Sequence, residues 1–207
     1  MKIKRLAAIA LALILALSLA ACGGVISGAP GGTTDNSTDK PEKSDTVELG
    51  ELTLLIDGEV VTLPLTVDEF ADLGWAPRDD KEMELMDKTL EPKQFANILF
   101  RKDNLYAYAF VANMSDDQSI NVSEGTILGF DYVEASTYEL PNGIVQGVAT
   151  RDDIIAAYGE PAPSNSDSFM YYTIEGFYVN LYIDDDDVLA SAYIIFSGHS
   201  GYEHIEL

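Results

Sequence analysis

Lysine and arginine are scarce in this 207-residue chain: 12 together against 35 aspartates and glutamates, for a formal charge of −23. The deficit deepens along the sequence. From Asp103 to Leu207 there are 18 acidic side chains and a single basic one, Arg151. Nucleic-acid binding is thereby excluded, because displacing counterions from a phosphate backbone takes basic side chains. An anionic lipid surface is repelled for the same reason. Two readings of the acidity stay open: solubility with resistance to self-association, or a surface for a cationic partner or weakly held divalent ions.

Cysteine is almost absent as well. Cys22 is the only one, so no intramolecular disulfide staples the fold. Histidine occurs twice, as His199 and His204, which excludes a histidine base anywhere else. There is no Gly-x-Ser-x-Gly elbow, His-Glu-x-x-His, phosphate-cradling glycine loop or Cys-x-x-Cys. No cofactor is expected. Hydrophobic residues nevertheless make up 47% of the chain and aromatics 10%, enough to build a core.

Three of the basic residues, Lys2, Lys4 and Arg5, open the sequence, and Leu6 to Ala21 follows with no charge and only Ser18 polar. A basic tip before an apolar run is the pattern of a secretory signal peptide. Sixteen residues fall short of the roughly twenty that a spanning helix needs. Residues 1–21 are thus expected to be a signal peptide. Leu19-Ala20-Ala21-Cys22 then resembles the lipobox of bacterial lipoproteins, which implies that the Cys22 thiol carries a diacylglycerol and becomes the first mature residue. Two acyl chains, at about 0.8 kcal/mol per buried methylene, are enough for stable anchoring. Thirteen of the residues from Gly23 to Ser44 are Gly, Pro, Ser or Thr, a composition that buries too little to fold. Residues 22–45 read as the lipidated cysteine and a flexible tether, with a coil span of roughly 25 Å. The expected location is the outer face of the cell membrane.

Residues 46–207 alternate strand patterns with two short helices. Asp57-Gly58 between two apolar runs is a hairpin signal. Thr66 with Glu69, and Thr150 with Asp153, each form a capping box before an apolar stripe. Gly74 and Pro77 stop the first helix, and Gly159 and Pro161 the second. Each helix leads on to aromatic strands. This predicts an α+β fold, with an antiparallel sheet packed on short helices as two tandem helix-plus-sheet repeats, roughly 46–115 and 116–200. In "FYVNLYI", Phe177, Val179, Leu181 and Ile183 point one way, and Tyr178, Asn180 and Tyr182 the other.

"LPNGIVQGVATRDDIIAAYGEP", with the tyrosine-rich strands after it, resembles the repeat of small secreted proteins of the β-lactamase-inhibitor-protein-like (BLIP-like) fold and of Gram-positive bacterial lipoproteins. Gly147, Thr150, Asp152, Ile154, Tyr158, Gly159 and Pro161 carry the resemblance, and "LPLTVDEFADLGW" resembles the helix of the first unit. The resemblance implies a protein-binding or envelope-assembly role without catalysis.

The outward tyrosines Tyr178 and Tyr182, with Tyr106 and Tyr108, are the interface candidates, since tyrosine offers stiff contact area at low entropic cost. Such a face suits a basic protein partner or a glycan. Trp75, beside the first helix stop, reads as a core anchor or as a binding hot spot. Asp184, Asp185, Asp186 and Asp187 read first as a hairpin turn and second as a weak calcium site. His199 and His204, with Glu203, have no standard metal spacing and read as a loose polar tail. The expected function is a lipid-anchored, non-catalytic module that binds an extracytoplasmic protein. The alternative is an envelope hydrolase acting on wall polymer through paired carboxylates.

Overall fold

The computed structural model describes residues 50–135 and 137–207. The expected signal peptide, Cys22 and the expected tether lie outside the described residues. Two strands open the fold, β1 (Leu52–Ile56) and β2 (Glu59–Leu63). They pair through Leu52–Leu63 and Ile56–Glu59, with Asp57-Gly58 as the turn. Both turn residues have positive φ, 50° and 80°, which is the primed geometry that matches strand twist and favours glycine.

Three α-helices follow at intervals, α1 (Val67–Asp72), α2 (Asp80–Met86) and α3 (Arg151–Tyr158). The capping boxes of α1 and α3 are both formed. Glu69 Oε2 accepts from the Thr66 amide at 2.7 Å, and Asp153 Oδ2 from the Thr150 amide at 2.9 Å. The sequence reading missed α2. Its cap is Asp79, whose side chain accepts from the amides of Lys81 and Glu82, and it buries only Met86. A helix with one buried residue leaves little periodicity to read.

The remaining long strands are β3 (Gln94–Lys102), β4 (Leu105–Ala112), β5 (Thr126–Glu134), β6 (Tyr138–Leu140), β7 (Phe169–Ile174), β8 (Phe177–Ile183) and β9 (Leu189–Phe196). A small sheet joins Ile144–Val145, β6, β1 and β2 in that order. A large sheet runs β7-β8-β9-β5-β4-β3. Glu203–His204 pairs in parallel with β3 at its edge, so the C-terminal tail is docked and not loose.

The expected α+β fold, with its sheet packed on helices, is therefore corrected to a β-rich fold. Strands dominate, and the helices are only six to eight residues long. The physical reason is that each helix ends after about two turns and buries one or two side chains: Val67 and Phe70, Met86, Ile154. Most of the core comes from the two sheets. Leu52, Leu54, Leu63 and Leu140 of the small sheet share one cluster with Ile98, Phe130, Val179, Leu181 and Ile194 of the large one. The described parts of 46–115 and 116–200 share that core and one continuous sheet. Strand β5 sits between β4 and β9.

Gly129 permits the central junction. It pairs with Ile195, and a Cβ built there would lie 2.0 Å from the Ile194 carbonyl oxygen. Only a residue without a side chain lets β5 and β9 approach this closely.

Candidate functional site

The inner face of the large sheet is filled by Ala96, Ile98 and Phe100 of β3, Ala107, Ala109 and Val111 of β4, and the 177/179/181/183 series of β8. The opposite parity faces outward. Cross-strand register carries it over the sheet as Phe169–Tyr182–Ser191, Tyr171–Asn180–Tyr193 and Thr173–Tyr178–Ile195. On β5, Tyr132 pairs with Tyr108 of β4, and Glu134 with Tyr106. The register slips by one residue between Tyr108 and Ala109. Asp131 is the residue left over, and it too reaches solvent.

Tyr106, Tyr108, Tyr178 and Tyr182 are thus brought to one face, although the first two are half-buried. Tyr178 is 46% exposed, with Tyr132, Tyr171 and Tyr182 close to 40%. Aromatic contacts continue across this face, although Phe110 and Ile195 on it are buried, at 4% and 2% exposure. His204 lies 5.0 Å from Phe95, Phe95 6.1 Å from Phe110, and Phe110 5.4 Å from Tyr193. On the far side, Phe169 is 5.3 Å from Tyr182. Such contacts stiffen the rings and add about 0.5–1.5 kcal/mol each beyond the area buried.

Within this face is a hollow of about 310 Å³, lined by Tyr171, Tyr178, Asn180, Tyr193, Ile195 and His199. His199 is held by a 2.8 Å hydrogen bond between its Nδ1 and the Phe196 carbonyl oxygen, edge-on to Tyr178 at 5.9 Å. The Asn180 Oδ1 is buried and has no hydrogen-bond partner among the described residues. Burial, and then the charge of Asp131, push the Tyr193 phenol above its ordinary range. Asp131 is itself raised, because the sheet face takes water from its carboxyl group.

The other candidates separate. Trp75 is 2% exposed and stacks on Phe70 at 5.0 Å. It is a core anchor, and the hot-spot reading is corrected: Phe70 in turn meets Phe100 and Phe130 inside the core. The aspartate run is a turn. Asp184 Oδ1 accepts from the amides of Asp186 and Val188, both at 3.0 Å, and Asp187 pairs with Arg151 at 3.0 Å. No three His, Cys, Asp or Glu side chains among the described residues are grouped to hold a metal ion. His199 and His204 sit against different rings, Tyr178 and Phe95.

For the hydrolase alternative, the hollow of about 520 Å³ beside α3 is bordered by Asp153. Hydrogen bonds from the Thr150 amide and hydroxyl hold that carboxyl below its usual range, and a second hollow of about 470 Å³ is bordered by three carboxylates, Glu51, Glu139 and Glu175. No helix among the described residues is long and apolar enough to cross a membrane.

Sequence reasoning missed Tyr171, Tyr193 and the role of Asn180. Parity was the available signal: in "SFMYYTI" and "VLASAYIIF", Tyr171 and Tyr193 share the phase that faces away from the core. No protein-family model, curated protein or solved structure matches the chain.

Proposed function

We propose that the chain is a lipoprotein, anchored through Cys22 on the outer face of the cell membrane, which binds an extracytoplasmic protein through the outer face of its large sheet. The observation that carries the binding part is the concentration of exposed tyrosines on that face, from Tyr171, Tyr178 and Tyr182 on one half to Tyr132 on the other. Aromatic side chains are over-represented at the energetic centres of interfaces. A patch made of many of them is more than the scattered exposure of an ordinary surface. The anchoring part rests on the basic tip, the apolar run and Leu19-Ala20-Ala21-Cys22. The resemblance to BLIP-like lipoproteins points the same way.

The reading has two tests. Cys22→Ser abolishes incorporation of labelled fatty acid, and unchanged labelling sinks the anchor. Affinity capture from solubilised envelope with the full-length protein enriches a partner that Tyr178→Ala combined with Tyr182→Ala fails to enrich. Equal recovery by the double variant removes the sheet face from the account.

A further inference from the structure

The hollow is built for a particular chemistry. It is lined by Tyr171, Tyr178 and Tyr193, and the faces of phenol rings attract cations. Asn180 lines it as well, with its side-chain oxygen buried and unpartnered among the described residues. Asp131 lies close enough to act on Tyr193 by its charge. Beyond Arg151 the chain contains no lysine or arginine, so β7, β8 and β9 supply no cation of their own.

We propose, on the reading that this face is the binding surface, that the hollow is a guanidinium site which takes an arginine side chain of the partner. A guanidinium is planar and weakly hydrated, so it stacks on the faces of tyrosine rings. A lysine ammonium, by contrast, is a strongly hydrated point charge that does not stack. At about 310 Å³ the hollow is at the small end of ligand cavities, the size for one side chain. A second copy of the chain is opposed by the charge of −23 that each copy carries.

The test uses three fluorescent peptides, identical except for three arginines, three lysines or three citrullines, titrated into the full-length protein in detergent at 0.15 M salt. That ionic strength screens loose attraction to an acidic surface. The arginine peptide is expected to bind at least about tenfold tighter than the lysine peptide, and the citrulline peptide not to bind. Tyr178→Ala and Tyr193→Ala leave the net charge unchanged and should reduce the arginine peptide to the lysine level, with an unaltered circular-dichroism spectrum. Equal binding of arginine and lysine, or arginine binding that survives both variants, overturns the site. If no peptide binds while envelope capture still depends on Tyr178 and Tyr182, the guanidinium site falls and the binding face stands. If both experiments fail, both readings fall.

Discussion

Replacing Asn180 by leucine should make the protein more stable while weakening arginine binding in the hollow that it lines. Asn180 lies in the middle of β8, flanked in register by Tyr171 and Tyr193, with its side-chain oxygen buried and unpartnered among the described residues. A buried acceptor left in that state costs about 1–3 kcal/mol. Leucine branches at the same carbon, so it removes the orphan without opening a cavity, and it is better tolerated in a strand. The net expectation is a gain of about 1–2 kcal/mol, or a rise of roughly 2–8 °C in Tm for a protein of this size. Urea unfolding followed by circular dichroism reads it, with the midpoint moving up and the m-value unchanged. Asn97→Leu is the control, because Asn97 Oδ1 is a second orphan that does not line the hollow. Both variants should gain stability, and only Asn180→Leu should lose arginine binding. A loss of more than about 0.5 kcal/mol in Asn180→Leu would show that the amide is satisfied where it stands, and the reasoning would fail.

Asp131→Asn separates charge from fold. Asp131 is raised in the folded state by burial, so folding favours its protonated form. That contribution is present below the unfolded carboxylate range and is lost as pH rises through the folded value. The variant should therefore be more stable than the parent at pH 7 and equal to it at pH 2.5 in thermal melts. A difference of the same size at both pH values would rule out the charge as its cause. Gly129→Ala places a Cβ 2.0 Å from a carbonyl oxygen and 2.8 Å from the Cα of Ile195, all backbone that has no room to yield. It should cost about 3–5 kcal/mol, in the range of severe single substitutions. A folded variant with an unchanged urea midpoint would contradict the described junction.

Some of this was legible before the fold was known. The Asp57-Gly58 turn, both threonine caps and the parity of Phe177 to Ile183 are local signals, and each appears in the structure as read. The hollow was not legible in the same way. Tyr171, Asn180 and Tyr193 meet only because two hairpins align them, and alternation within one strand does not state that register. The register slip at β5 also breaks the alternation of "TILGFDYVE", so the strand joining the two halves of the sheet shows little period-2 pattern. The helices were over-weighted because their caps are sequence-local and conspicuous. The strand pairs that outweigh them are distant along the chain, such as Gly129 with Ile195. Trp75 has the same ambiguity in any sequence, since core and interface both favour a large ring, and only its stack on Phe70 decides the matter.

The most direct measurement places a photo-reactive residue at position 178 of the full-length protein on intact cells, with positions 60 and 148 as controls. Val60 is 59% exposed and Val148 70%, so all three sites reach solvent, and only 178 lies on the tyrosine face. The account predicts a covalent protein adduct at 178, absent at 60 and 148 and diminished by free arginine peptide. Adducts of equal yield at all three positions, or at the controls alone, would contradict it.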